Sequence, residues 1–198
     1  MASVARALLL PFCASAAAGL ALQPTEMPPV LSSPVYSLAT LNADGTTNMQ
    51  ITTYATPVGV SPRLWAISLY RPTATHENFL NRRSGVLQRL CGRHASLVYA
   101  LGGRSGRDDD KAAACAAAGF PWLESPETWE ERLLPGCASY LRLVQVGELQ
   151  SCGEHDLVLC RVEGMLAPGG EAMDDDALSS AQLREMGIIT DRGKAIEP

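Results

Sequence analysis

Residues 35–78 constrain the fold more than any other part of this chain, because strand-like runs alternate there with turn signals. The Asp44-Gly45 pair lies between apolar runs, and Asp-Gly in that setting strongly indicates a β-hairpin turn. Two further runs, 49–54 and 64–70, are rich in β-branched and aromatic residues, as β-strands are. This stretch therefore predicts three successive strands and a mainly β domain.

Two helices are predicted between the strands of the first and second halves of the chain. Residues 75–88 have helical character, with Thr75 as a candidate N-cap and a break expected at Ser84-Gly85. Residues 109–119 form a stronger helical pattern, with acids at the start and a glycine at the end. Both helices are expected to flank the β domain.

Later strands are predicted at 137–146 and 155–162. Short strands at regular spacing, with one or two helices between them, are typical of a closed or nearly closed β-barrel. The barrel domain is expected over residues 34–166. An acidic tail with a short amphipathic helix, over 167–198, is expected to pack on the barrel or on a partner.

The N-terminus has the composition of a targeting sequence. Residues 1–22 combine Arg6, an apolar run and small residues near Ala21, which fits a leader cleaved close to that residue. We expect delivery to a plastid or another organelle, with the secretory pathway or an uncleaved apolar helix as alternatives. Residues 23–33 form a Pro-rich linker.

Composition excludes several classes of function. The net charge of −5 and the pI near 5.2 argue against nucleic acid as a partner, because phosphate backbones require a basic surface. Beyond the leader no apolar run is long enough for stable membrane insertion. The cysteines after the leader lack C-x-x-C spacing and a histidine at ligand spacing, which argues against a zinc site and a disulfide framework. Cys137 and Cys160 lie in apolar runs and are predicted to be buried thiols, in keeping with a reducing compartment.

A hydroxyl-rich turn follows the third predicted strand. Arg71, Thr73 and Thr75 lie close together there. A guanidinium presents a fork of donors that matches phosphate oxygens, and hydroxyl groups supply further hydrogen bonds. The turn is therefore a candidate phosphate site, although a solvated surface turn has the same composition.

Taken in order, several short elements of the chain resemble the flavin reductase-like, FMN-binding split-barrel family. The elements are the Asp44-Gly45 turn with Asn48, the runs 52–56 and 68–71, Thr75 with Asn78, residues 105–108 with Lys111, and Gly153-Glu154-His155. The resemblance covers residues 34–166 and implies a split β-barrel that forms a homodimer of six-stranded barrels. It also implies FMN as cofactor, with FAD possible, and NADH or NADPH as hydride donor.

The resemblance further implies which residues form the site. The ring edge and ribityl chain of the flavin would contact Gln50, Thr52, Thr53, Ala55 and Thr56, and the phosphate would contact Ser68, Arg71, Thr73 and Thr75. Lys111 would reach the phosphate or a nicotinamide nucleotide. His155, which leads a strand, would bind the nicotinamide or deliver a proton, because histidine changes its charge near neutral pH. Ordinary strand threonines, a solvated Lys111 and a strand-capping His155 are the structural alternatives. His76 and His94 are expected to be structural or exposed.

The leading hypothesis is an FMN-dependent oxidoreductase that takes a hydride from NADH or NADPH and passes electrons to free flavin, oxygen or another acceptor. No G-x-G-x-x-G motif is present, so the nicotinamide nucleotide would lie against the flavin and not in a Rossmann domain. One alternative is a flavin carrier that turns over no nicotinamide. Another is a split-barrel relative that binds haem or no cofactor.

Overall fold

The computed structural model describes residues 31–169 and 177–198. The predicted leader, nearly all of the predicted linker and the acidic start of the tail lie outside the described residues, so those assignments stay predictions. None of the helices within the described ranges is long and apolar enough to span a membrane.

One antiparallel sheet dominates the described residues. Its eight strands are β1 Tyr36–Leu41, β2 Thr47–Thr52, β3 Ala55–Gly59, β4 Leu64–Tyr70, β5 Ser84–Arg89, β6 Ser139–Gln145, β7 Gln150–Cys152 and β8 His155–Leu166. The order across the sheet is β2-β1-β5-β6-β8-β4-β3, and β7 forms a hairpin with β8. The predicted mainly β fold is confirmed.

The sheet has more strands than the six that the family resemblance implies. The additional pairings are peripheral: β7 pairs only with β8, and β3 pairs only with β4. Pro57 is compatible with a strand here because β3 lies at the end of the sheet, where a missing N–H breaks no ladder. The segment after residue 54 was expected to be a loop, and the edge pairing of β3 explains the difference.

The two ends of the sheet are joined by a very short link. Strands β2 and β3 lie at opposite ends of the strand order, yet only Thr53 and Tyr54 separate them in the chain. Because two residues cannot cross a flat sheet, the sheet must curl until its two ends meet. The amide of Ser68 on β4 donates to the carbonyl of Tyr54 (2.9 Å), which fixes the link against the barrel. The result is a barrel with a seam between its first and last strands.

Short helices cover the sheet at its ends and on one face. The α-helices are α1 Ala74–Arg82, α2 Lys111–Ala117 and α3 Ser180–Glu185. A 3-10 helix (Gly92–Leu97) and a π-helix (Tyr99–Gly103) lie between β5 and α2. The helix predicted over 109–119 is confirmed, with Asp110 as its N-cap.

The first predicted helix needs two corrections. Its N-cap is Thr73 and not Thr75, because Thr73 is extended and its side chain accepts from the amide of His76. Its last residue is Arg82, since Arg83 takes a left-handed conformation with a φ of 56°. The break expected at Ser84-Gly85 coincides with the start of strand β5. Residues 86–88, which the helical pattern included, lie in this strand because the segment pairs on both sides, with β1 and with β6.

Two apolar clusters hold the fold together, one on each side of strand β1. The inner cluster gathers Leu38, Ile67, Leu87 and Val158 from different strands, and Phe79 of α1 closes the barrel interior. The outer cluster lies between the sheet and the helices and includes Ala39, Met49, Leu101, Leu134, Leu178 and Leu183. The tail therefore packs on the barrel, as predicted.

The predicted burial of two thiols is also confirmed. Cys137 and Cys160 have no exposed surface, and both are free thiols. Burial raises the pKa of Cys160 to about 12, so it is a neutral packing group.

Candidate functional site

Several cavities border strand β2, and two of them form the candidate site next to the seam of the barrel. The first, the helix-end cavity, encloses about 100 Å³ and is lined by Asn48, Gln50, Pro72, Thr73, Ala74, Thr75, Leu101, Gly102, Arg104, Ser105, Gly106 and Lys111. The second, the histidine cavity, encloses about 180 Å³ and is lined by Gln50, Ile51, Thr52, Thr53, Tyr54, Ser68, Tyr70, His155, Arg192 and Gly193.

The two cavities form one groove. Gln50 lines both, and a small space of about 10 Å³ between them is bordered by Gln50, Thr52, Ser68 and Thr75. Since β2 ends the sheet, one edge of its backbone has no neighbouring strand in the sheet. We call this continuous depression the β2 groove.

The helix-end cavity is suited to an anion. Helix α1 has nine residues and begins at this cavity with Ala74 and Thr75. The first N–H groups of a helix have no intrahelical acceptor, and the helix dipole favours negative charge at this end. The guanidinium of Arg104 and the hydroxyl of Ser105 belong to the loop on the opposite wall.

Glycines let this loop approach strand β2. A Cβ atom at Gly106 would lie 2.0 Å from Oδ1 of Asn48, and one at Gly102 would lie 3.2 Å from Cβ of Ile51. Any larger residue at Gly106 would therefore displace Asn48 or the loop. The narrow wall of the cavity depends on this close approach.

Asn48 carries the clearest sign of a missing ligand. Its side chain is 4% exposed, and its Nδ2 donates to Oγ1 of Thr75 (2.8 Å). Its Oδ1 is buried and has no hydrogen-bond partner among the described residues. A buried acceptor left unpaired costs about 1–3 kcal/mol. A bound group with a donor at this point would remove that cost.

Lys111 is buried in the wall of the same cavity, so the alternative of a solvated surface lysine is wrong. The side chain is 6% exposed, and Nζ donates to the carbonyl oxygens of Met49 and Leu101, both at 2.9 Å. An ammonium has three donors, so one is left for a ligand. Burial lowers the pKa of Lys111 to about 8.

The histidine cavity is open and aromatic. His155 begins strand β8 directly opposite Tyr70 of β4. The imidazole ring centroid lies 5.2 Å from that of Tyr70 and 5.7 Å from that of Tyr54. Both tyrosines are exposed, so the three rings form a rim that a flat aromatic ligand can enter.

Most of the predicted site residues lie in the β2 groove. The helix-end cavity contains Gln50, Thr73, Thr75 and Lys111, and the histidine cavity contains Gln50, Thr52, Thr53, Ser68 and His155. Ser68, which the resemblance assigns to the phosphate, lines the histidine cavity and not the helix-end cavity. Ala55 and Thr56 line neither cavity, because β3 turns away along the edge of β4.

Arg71 also lines neither cavity. Its Nε and Nη2 donate to Oδ1 of Asp156 (3.1 and 2.8 Å), and Nη2 also donates to Ser151. Asp156 in turn accepts from Nε2 of His76 at 2.7 Å. These hydrogen bonds, first that from Arg71 and then that from His76, lower the pKa of Asp156. A phosphate role for Arg71 stays a prediction, and it would require the guanidinium to leave this carboxylate.

Several groove residues were not predicted from the sequence. Arg104 gives no local signal of a role in the groove. The Asp156–His76 pair, which lines neither cavity, could not be predicted either, because its two residues lie 80 positions apart in the chain. Arg192 reaches the groove from the C-terminal tail. The spacing of Gly102, Gly103 and Gly106 just before a helix is the one signal that could have indicated a close backbone approach.

Comparison with known proteins agrees with this architecture. The family model for the flavin reductase like domain matches residues 29–178. No curated protein matches the chain.

Solved structures of low sequence identity share the fold. An FMN-binding protein from Thermus thermophilus, with bound p-hydroxybenzaldehyde, is 20% identical with a TM-score of 0.63, covering 76% of this chain and 83% of its own. An NADH:FAD oxidoreductase from Streptomyces globisporus is 14% identical with a TM-score of 0.59, over 70% and 77%. A split-barrel protein of the flavin reductase type from Shewanella frigidimarina is 14% identical with a TM-score of 0.62, over 77% and 75%.

These structures confirm the predicted split barrel. The family match spans most of the chain and includes strands β2, β4 and β8 and helices α1 and α2, which line the β2 groove. The chain therefore belongs to the flavin reductase-like domain family.

Proposed function

We propose that this protein binds FMN in the β2 groove and uses NADH or NADPH to reduce flavin. The observation that carries the proposal is the difference in chemistry between the two ends of the groove. One end is an anion site at the start of α1, and the other is an open aromatic space at His155. FMN has the same polarity, with a phosphate at one end and a flat ring at the other.

The helix-end cavity would hold the phosphate. The first amides of α1, the hydroxyl of Thr75 and the remaining donor of Lys111 border this space, whereas the Thr73 hydroxyl already donates to the carbonyl of Tyr70. Arg104 adds a second cation on the loop, and its guanidinium lies 3.6 Å from Asp109. Charge-assisted hydrogen bonds of this kind are about twice as strong as neutral ones, which suits a phosphate that must stay bound. The unpaired Oδ1 of Asn48 fits a hydroxyl donor of the ribityl chain next to the phosphate.

The free edge of β2 would hold the ring. Backbone groups of residues 50–54 that face away from β1 can pair with the polar edge of the flavin, because no strand occupies that side in the sheet. Hydroxyls of Thr52 and Thr53 lie in the same wall. Bound flavin supplies the hydride-accepting chemistry of the reaction.

His155, Tyr54 and Tyr70 would receive the nicotinamide. Their rings form the rim of the histidine cavity, where a second flat ring can lie against the first. The part of the protein is to orient the two rings and exclude water between them. His155 can also hold or supply a proton near neutral pH. The similarity in fold to an NADH:FAD oxidoreductase supports a nicotinamide donor.

A second copy of this chain would complete the site as a homodimer. Apolar side chains are exposed along and beside the edge strand β3: Tyr54 is 64% exposed, Val58 53% and Val60 92%. An exposed apolar edge next to a groove is what a subunit interface would cover. Light scattering of the purified protein tests this, and a monomer at all concentrations would overturn it.

Flavin titration followed by turnover tests the function. We expect FMN fluorescence to be quenched on binding, with FMN bound more tightly than riboflavin, and NADH or NADPH to be oxidised when FMN is present. Binding without oxidation of either dinucleotide would favour a flavin carrier. Absence of flavin binding would remove flavin from the function of this barrel.

A further inference from the structure

The C-terminal tail builds part of the groove. The family match ends at residue 178, whereas α3 and the turn at 190–194 come later in the chain. Arg192 and Gly193 of this turn line the histidine cavity. This wall therefore lies outside the region that matches the family model.

The turn is held firmly in place. Ile189 pairs with Ala195 in an antiparallel bridge, and the amide of Thr190 donates to the carbonyl of Lys194 at 2.9 Å. Ile189 is 7% exposed and belongs to the outer apolar cluster. The backbone at Arg192 is thus fixed at the mouth of the cavity, while its exposed side chain is free to move.

Arg192 brings an uncompensated positive charge to this mouth. The other residues around the histidine cavity are neutral or histidine, and within the described part of the chain no carboxylate lines it. Some surface arginines pair with acids, for example Arg107 with Glu77 at 2.9 Å and Arg161 with Glu163 at 2.5 Å. Arg192 has no such ion pair among the described residues.

We propose that Arg192 binds the pyrophosphate of the nicotinamide dinucleotide as it docks, an inference that rests on the proposed function. The phosphate of FMN would lie at the helix-end cavity, so an unpaired cation at the ring end calls for a second anionic molecule. A guanidinium matches phosphate oxygens with its fork of donors. An exposed side chain on a fixed turn suits a ligand that must arrive and leave in each turnover, because rim charges act mainly on association.

The test compares Arg192→Gln with Lys194→Gln in the full-length, FMN-loaded protein. Lys194 carries the same charge on the same turn but does not line the cavity. For Arg192→Gln we expect KM for NADH or NADPH, and Kd for the oxidised dinucleotide, to rise about five- to tenfold. The kcat and the FMN Kd should stay within twofold of wild type. Lys194→Gln should match wild type in all four quantities.

A hydride donor without phosphate sharpens the test. With 1-benzyl-1,4-dihydronicotinamide, wild type and Arg192→Gln should reduce bound flavin at the same rate, because no pyrophosphate is present. An equal loss with this donor would mean that Arg192 acts on the ring, and it would overturn the inference. An unchanged KM in Arg192→Gln, or a loss confined to FMN affinity, would also overturn it. A wild-type protein that binds FMN but no dinucleotide would reject the reductase function and this inference together.

Discussion

The two ends of the β2 groove are built in opposite ways. At the helix-end cavity the polar groups are buried and held by the protein: Asn48 is bonded to Thr75, and Lys111 to two carbonyl oxygens. At the histidine cavity the two tyrosines and Arg192 are exposed, and His155 is half-buried against the tyrosine rings. A preorganised end suits a group that stays bound, and an open end suits one that exchanges. The difference separates the roles of cofactor and substrate within one groove.

Lys111→Met should have the largest effect, because it removes a buried charge and two hydrogen bonds at the preorganised end. We expect FMN affinity to fall about 100-fold and riboflavin affinity to change much less, since one or two charge-assisted hydrogen bonds account for about 2–3 kcal/mol. Fluorescence titration with both flavins measures this. Equal losses for FMN and riboflavin would contradict a phosphate role for this end.

The pH dependence of the same group follows from its lowered pKa of about 8, against 10.5 for an unburied lysine. Between these values the unfolded chain binds the proton more tightly than the folded one, so stability should rise with pH across this window, by about 3 kcal/mol in total. Urea unfolding at several pH values should show the rise in wild type and lack it in Lys111→Met. FMN affinity should fall as pH rises above 8, because the phosphate binds the charged form.

His155→Ala, at the histidine cavity, should have the opposite effect to Lys111→Met: it should impair use of the dinucleotide and spare FMN affinity. We expect kcat/KM for the dinucleotide to fall about 10- to 100-fold, in the range of positioned proton transfer and lost ring packing. The FMN Kd should change by less than threefold, since the helix-end cavity is intact. Stopped-flow reduction of bound FMN measures the first quantity. Wild-type reduction rates would leave His155 as a strand-capping residue.

Gly106→Ala tests the close approach of the loop to β2. The added Cβ would meet Oδ1 of Asn48 at 2.0 Å, so the loop or the asparagine must shift. We expect FMN affinity to fall about tenfold. Gly169→Ala serves as a control for folding, because Gly169 has open space around its Cβ position and no positive φ. An unchanged FMN Kd would show that this wall is not part of the phosphate end.

Arg71→Gln should have the smallest effect on flavin. The guanidinium is bound to Asp156 and lies outside both cavities, so we expect FMN affinity within threefold of wild type. The ratio of FMN affinity to riboflavin affinity in this variant shows whether Arg71 contacts the phosphate of FMN. A selective loss of FMN would instead support the phosphate role that the sequence pattern indicated.

Local pattern predicted most of the fold and one part of the site. The predicted bounds of strand β4 agree with the observed ones. Thr75, Lys111 and His155 were predicted to belong to a single site, and the structure brings them into one groove. The choice between helix and strand after Ser84 could not be made locally, because β5 is stabilised by two strands distant in sequence.

The charged residues show why the rest of the site could not be predicted. Arg71 has the composition of a phosphate site around it, but its partner Asp156 is 85 residues away. Arg192 enters the groove only because the tail packs back onto the barrel through Leu178, Leu183 and Ile189. A sequence pattern shows which side chains carry charge, but tertiary packing decides which charges meet.

The short link between β2 and β3 also limits where the barrel can open locally. Thr53 and Tyr54 tie the two sheet ends together at the ring end, and the hydrogen bond from Ser68 to Tyr54 holds that tie. The other end of β2, at Thr47, has no covalent link of this kind to β3, and its hydroxyl accepts a hydrogen bond from the amide of Arg132 (2.9 Å). Slow opening of the seam should therefore start there, so amide hydrogen exchange should be faster near Thr47 than near Thr52. A tightly held cofactor would then be released where the seam opens, at the end of β2 near Thr47.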